Sequence, residues 1–300
     1  MKKICLLLSL VCFVGYGEMT SNAEENEKAR SSQSASGAAN VQTPIRRCAT
    51  PTLPKEHKEI IQEELRLYER FYRSSDVNAM VGSTIIRVYF HVIRNGRLGN
   101  VSRKMIRQQI AALNKAYAPS RIRFILSRLD YTSNAKWFDG CFDPYYEDQM
   151  KKKLRRGGAS ILNIYTCQPT NPFIGWATFP YQYELNPVND GVVIHHATLP
   201  GGSLPPLNLG ATATHEVGHW LGLYHTFEGG CAAVNDGVDD TPAEDKASTS
   251  CIQQVDSCPL PGLDNIFNYM NYVEDACMTQ FSKGQRSRIK SSWDLYRAGK

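Results

Sequence analysis

Three hundred residues leave room for one sizeable domain and a flanking segment, and 42% hydrophobic with 21% charged residues is ordinary for a globular chain. A net charge of +5 is too mild to argue for nucleic acid. The densest basic run, Lys151-Lys152-Lys153-Leu154-Arg155-Arg156, has no interleaved aromatic residues. It reads as the solvated end of a helix rather than a heparin or nucleic-acid patch.

Lys2 and Lys3 precede an apolar run from Ile4 to Gly15, and polarity rises from Glu18. That is the pattern of a signal peptide, too short to span a bilayer comfortably, with cleavage points at Gly17 or at Ser21-Asn22-Ala23. No second hydrophobic stretch follows, so an exported chain without a stable membrane anchor is expected. Residues 24 to about 52 are rich in Ser, Ala, Glu, Asn and Gln without an apolar period, which reads as disordered or weakly ordered chain. From Lys55 to Tyr72 apolar residues recur at helical spacing, as a pro-segment helix or the first helix of a catalytic domain.

Strands and helices then alternate. Ile85 to Ile93 is a buried strand, and Ser102 to Tyr117 an amphipathic helix with Ser102 as N-cap. Arg121 to Leu129 alternates like a strand with one open face, and Asp143 to Arg156 is a helix ended by Gly157-Gly158. Ser160 to Cys167 and Val192 to Ile194 are further strands. Ile174 to Phe179, bounded by Pro172 and Pro180, reads as a sheet edge. This order implies an α/β (α+β) architecture, a mixed sheet covered by helices. After Gly210 comes another helix, then a Cys- and Gly-rich irregular stretch, and a last helix from about Ser282 to Arg297.

Nine cysteines are present, of which Cys5 and Cys12 fall in the signal peptide. Cys141, Cys167, Cys231, Cys251, Cys258 and Cys277 suggest three disulfides among fifteen connectivities, and Cys48 is left over.

The chemistry lies in His215-Glu216-Val217-Gly218-His219-Trp220-Leu221-Gly222-Leu223-Tyr224-His225. Residues four apart stack on one helix face, so His215 and His219 offer two imidazoles to one point. Gly222 can take a left-handed conformation, ending the helix and turning His225 back as third ligand. Three imidazoles suit Zn2+ and leave a position for water. Glu216, not needed as a ligand, is placed to take that water's proton. Gly218 inside a helix is unfavourable by about 0.5–1 kcal/mol, which suits close packing against it. The motif arises by chance in roughly one chain of this size in a hundred thousand, so a metal site is preferred over incidental histidines. His57, His91, His195 and His196 are assigned to surface or core.

The motif is a metzincin signature. Together with the GVDDTPAE stretch at 237–244, NYMNYVEDACM at 268–278, and Phe281, Gly284, Gln285 and Arg288, it makes the chain resemble the pappalysin (cytophagalysin) family of zinc metalloendopeptidases over roughly Ile85 to Ile289. The resemblance implies a five-stranded mixed sheet with an antiparallel edge strand, an active-site helix and a Cys-rich irregular C-terminal subdomain. It divides the chain into a signal peptide (1–23), a pro-segment (24–80) and a catalytic domain (81–300). Met270 matches the Met-turn, a hydrophobic floor beneath the zinc. Tyr272 matches a tyrosine whose hydroxyl can stabilise the oxyanion, with a packing tyrosine as the plainer reading. Asp275 falls where an S1′ acid would select Lys or Arg just after the scissile bond, with Glu274 beside it. The segment from Ile174 to Phe179 matches the edge strand that binds extended substrate in antiparallel fashion.

The family's disulfides imply Cys231 with Cys258 and Cys251 with Cys277, leaving Cys141 with Cys167 by counting. Asp236, Asp239, Asp240, Glu244 and Asp245 either hold a structural Ca2+, as relatives do nearby, or form a solvated acidic loop. Arg46-Arg47-Cys48-Ala49-Thr50 resembles the pro-region segment whose thiolate blocks the zinc, although Ala49 replaces a glycine. A free or intermolecular cysteine is the alternative. Arg70 and Arg73 are plausible processing sites. The expected activity is secreted, zinc-dependent hydrolysis of protein or peptide substrates from a latent precursor. The rival expectation is an exported zinc-containing binding protein without catalysis. No nucleic-acid partner is expected.

Overall fold

The computed structural model describes residues 47–73, 83–169, 172–232, 235–259 and 261–300, which fall within one compact unit, Pro44–Lys300. The signal peptide and its cleavage points, and the boundary segment 74–80, lie outside the described residues.

Helix α1, Lys55–Tyr68, runs into a π turn at Glu69–Arg73. Strand β1, Thr84–Arg94, is followed by helix α2, Arg103–Tyr117, whose N-cap Ser102 accepts a hydrogen bond from Met105 N. Strand β2, Ile122–Ser133, runs four residues beyond the expected Leu129. Short helix α3, Ala135–Asp139, and helix α4, Pro144–Leu154, lead to β3, Ile161–Cys167. Helix α4 stops before Gly157-Gly158, because Arg155 already leaves the helical conformation at ψ 139°. Strands β4, Gly175–Ala177, and β5, Val192–His195, complete the sheet. Helix α5, Ala211–Trp220, and helix α6, Lys283–Ser292, close the fold, with a π turn at Trp293–Arg297.

The sheet order is β2-β1-β3-β5-β4. β1 pairs in parallel with β2 and β3, and β3 with β5, while β4 is antiparallel at the edge. Adjacent residues feed separate cores, as alternation across a pleat requires. Val92, Ile164, Val192 and Ile194 pack with residues of α2 and α5. Ile93, Tyr165 and Val193 pack with Phe138 of α3 and Met150 of α4. The active-site helix therefore lies against one face of the sheet, beside its antiparallel edge.

Two readings need correction. Residues 47–50, placed in the weakly ordered stretch, are ordered, with Arg47, Cys48 and Thr50 buried. The basic run is not wholly solvated, since Lys151 is buried and its Nζ meets Glu147 at 2.7 Å and Asn189 O at 2.8 Å. A lysine paid for by an i,i+4 carboxylate and a carbonyl can be buried where its neighbours are not.

Candidate metal centre and active-site cleft

All ten residues of α5 are buried, so its polar side chains must be satisfied inside the protein. Gly210 starts the helix at φ 93°, and Gly222 ends it with the same left-handed value. The turn after Gly222 brings His225 back over the helix. His219 Nε2 lies 3.2 Å from His215 Nε2 and 3.1 Å from His225 Nε2. The opposite ring nitrogens of two of them donate to carbonyls: His215 Nδ1 to Tyr269 O at 2.7 Å and His219 Nδ1 to Leu223 O at 2.8 Å. Their Nε2 lone pairs consequently face one another with no proton to share, an arrangement that needs a cation between them. Burial, and then the neighbouring histidines, hold His215 and His219 far below the usual imidazole range, as neutral ligands require. Cys48 Sγ belongs to the same group, and the four ligand atoms all lie within 4.8 Å of one another. The donor set fits zinc.

Met270 is fully buried, and a Cβ placed on Gly218 would collide with its sulfur, which explains a glycine inside this helix. Asn268 fixes the turn by accepting from Met270 N and exchanging two hydrogen bonds with Gln285 of α6. Arg288 Nε donates to Gly222 O at 2.8 Å and braces the exit from the active-site helix. The α6 residues of the recognised pattern thus act on the site from behind. Tyr272 reaches the front, its hydroxyl 3.1 Å from His225 Nε2. Burial, and then Cys48 and Glu216, push its pKa up, so it stays a hydroxyl able to donate.

Glu216 faces β4. A Cβ on Gly175 would stand 2.7 Å from Glu216 Oε1, so only glycine leaves the carboxylate its place. Glu216 Oε2 accepts from Thr50 Oγ1 at 3.1 Å and from Cys48 Sγ at 3.4 Å, while Oε1 is buried without a partner. Burial pushes the pKa of Glu216 up to about 8. Burial, and then Glu216, raise the Cys48 thiol as well.

Residues 47–50 lie along the edge strand. Ala49 N donates to Gly175 O at 2.9 Å and Ala177 N to Thr50 Oγ1 at 3.0 Å, so the segment runs in the same direction as β4. Arg47 Nη2 meets Asp275 Oδ1 at 2.8 Å and Val273 O at 2.7 Å. Asp275 Oδ2 accepts from Leu209 N and Ala211 N, which fixes the carboxylate at the start of α5. Glu274 is exposed.

The structure pairs Cys141 with Cys167, Cys231 with Cys258 and Cys251 with Cys277, and leaves Cys48 free. Among the acidic residues, Asp240 bonds Gly284 N and Ser282 Oγ and so caps α6, whereas Asp239 and Asp245 are exposed. Asp236 and Glu244 are buried, and burial raises both to about 7; Asp236 Oδ2 has no partner. Of the remaining histidines, His57 is exposed, His91 is fully buried, and His195 and His196 are half-buried.

Sequence reasoning quoted Arg47 and Thr50 beside Cys48 without assigning either a role of its own, and missed Glu228 and Lys58. Arg47 and Thr50 flank the cysteine that was singled out, and that adjacency was a usable signal. Nothing local connects Lys58 to Glu228, which meet at 3.4 Å across 170 residues.

Comparison with known proteins gives the chain's relatives. The family model described as pregnancy-associated plasma protein-A, of peptidase family M43, matches residues 204–294. An extracellular metalloprotease of Neurospora crassa is 42% identical over 259 residues, 84% of this chain and 89% of the relative. One from Pyricularia oryzae is 44% identical over 221 residues, 72% and 77% of the two chains. Among solved structures, a promirolysin mutant of Tannerella forsythia superposes with a TM-score of 0.69 at 27% identity, covering 84% of this chain and 95% of that one. Mature mirolysin in complex with a cleaved peptide gives 0.63 at 30% identity, covering 71% and 92%. The chain belongs to the pappalysin family of metzincin-type metalloendopeptidases.

Proposed function

We propose that this chain is the latent precursor of a secreted zinc endopeptidase that cuts before Lys or Arg, with residues 47–73 as the described part of its pro-segment. The observation that carries the reading is the occupant of the cleft: Arg47 on Asp275, Cys48 among three histidines, and Ala49 with Thr50 along β4. The segment imitates a substrate with a basic side chain in the S1′ pocket, but it runs parallel to β4, whereas substrate is expected antiparallel. Peptide bonds presented in reverse are poorly placed for attack. The solved neighbours support the division of the chain, since promirolysin covers more of it than the mature form does.

His215, His219 and His225 would hold the zinc, and Cys48 would fill the fourth position in the precursor. Zinc bound there supplies a lowered water pKa and a polarised substrate carbonyl. Glu216, freed from Thr50 and Cys48, takes the proton of the attacking water and returns it to the leaving amine. The Tyr272 hydroxyl donates to the oxyanion. The edge of β4 pairs with substrate main chain, and Asp275 receives the basic side chain. Asp236, with its unpartnered buried oxygen, is the acid that would bind calcium; Asp240 is committed to the α6 cap, and both Glu244 oxygens accept hydrogen bonds from Asn265 and Asn271.

A direct test compares precursors. Cys48→Ala and Arg47→Ala should each shorten the time to full activity at least about tenfold, since each breaks a buried contact worth more than about 1.4 kcal/mol. Precursors as slow to activate as wild type would remove the latency reading. Cleavage of a peptide library by the activated enzyme should enrich Lys and Arg at P1′, and Asp275→Asn should abolish that enrichment. A library with no basic preference sinks the specificity reading.

A further inference from the structure

Two of the three histidine ligands have their outer ring nitrogen fixed by a main-chain carbonyl. His225 differs, because the group facing its Nδ1 is a carboxylate. Glu228 Oε2 stands 3.7 Å from His225 Nδ1, with both side chains almost fully buried. That is beyond hydrogen-bond length, where a charge-assisted contact should settle near 2.7–2.9 Å. Two other groups compete for the carboxylate. Glu228 Oε1 is 3.4 Å from Lys58 Nζ of α1, and Thr52 Oγ1 donates to Oε2 at 3.4 Å. Both competitors come from residues 47–73, which the activated enzyme would lack. The local frame otherwise favours closure. Glu228 N donates to His225 O at 3.0 Å, a tight turn that folds the glutamate back over the ring. Phe227 stacks on the imidazole with centroids 4.8 Å apart, leaving little freedom except rotation of Glu228 itself.

We propose that Glu228 is the positioning residue for the third metal ligand, and that Lys58 and Thr52 of the pro-segment hold it away from His225 in the precursor. The inference rests on the metal reading above. Maturation then changes the centre twice: the Cys48 thiol leaves, and the Glu228 carboxylate closes on His225 Nδ1. A carboxylate behind a ligating histidine fixes its tautomer and raises its basicity, and losing such a partner costs about 10–100-fold in metal affinity. Glu228 touches neither substrate nor reacting atoms, so its effect reaches the reaction through His225.

The test uses the full chain, activated after purification, as wild type and as Glu228→Gln, which keeps the size of the side chain. Zinc retention is measured against a graded chelator, and the low-field Nδ1–H resonances of the ligating histidines are recorded by NMR in precursor and activated forms. Activated Glu228→Gln should release zinc at about 10–100-fold lower chelator activity. In wild type the His225 Nδ1–H resonance should move downfield on activation, and in the variant it should not. Equal zinc retention together with an unmoved resonance overturns the proposal while leaving the three-histidine site intact. A wild-type enzyme that takes up no zinc overturns the metal reading and this proposal with it. Lys58→Met in the precursor adds an independent arm, since it should shift the His225 resonance downfield before any cleavage.

Discussion

The two sides of the cleft are held by different means. One side is β4 and α5, whose order comes from main-chain hydrogen bonds and a continuous apolar core. The other is the stretch from Leu223 to Phe281, whose described residues form no helix and only one isolated bridge, between Asn268 and Gln280. Its conformation depends on two disulfides, on the bonds that Glu244 accepts from Asn265 N and Asn271 Nδ2, and on the Asn268–Gln285 pair. The regular side carries His215, Glu216 and His219, and the irregular side carries His225, Met270, Tyr272 and Asp275. The contrast teaches that, on the proposed reading, the chemistry is mounted on the rigid side, while recognition and the third ligand ride on chain that side-chain bonds keep in place.

Damage to the two sides should therefore look different. The largest effect is expected from Glu216→Ala, which should cost about 10⁴-fold in turnover with zinc retained and no loss of thermal stability. Substantial proteolysis by the purified variant, with zinc content measured alongside, would break the assignment. Next comes Cys251→Ser with Cys277→Ser. Releasing a crosslink across 26 residues should cost about 3 kcal/mol. Hydrogen exchange should accelerate first between residues 223 and 281, not in α5. Uniform loosening of both sides would erase the distinction.

The smallest effect concerns pH. Asp236 and Glu244 are raised from 3.8 and 4.5 to about 7, so the folded state keeps protons that the unfolded chain has lost. That stabilising contribution is complete below the unfolded values and disappears as pH rises through about 7. In a chelating buffer, Tm should therefore fall by about 5 °C between pH 5 and pH 8, and added calcium should restore it at pH 8. A melting temperature indifferent to calcium at pH 8 would return Asp236 to the purely structural role that Glu244 already has.

The same contrast explains what could be read from the chain alone. The α5 motif is legible because ligand spacing on a helix is local, and the strands show themselves as short apolar or alternating runs. The Met-turn and Tyr272 came through family resemblance, since nothing in their spacing leads from Met270 to Gly218. Lys151 was misread because its burial depends on Asn189, 38 residues away. Arg47 and Thr50 were given no role of their own because each acquires it from a partner more than 160 residues distant, and Lys58 meets Glu228 across 170 residues. Hydrophobic pattern carries no record of such pairings.

The ion pair between Arg47 and Asp275 has a consequence for how such a protein can diverge. One carboxylate answers both to the chain's own guanidinium and, on the reading given above, to the side chain of whatever is cut. A change that retunes target choice also loosens self-restraint, unless position 47 changes in step. Selection on diet and selection on safety then act through a single atom pair, and neither can drift alone.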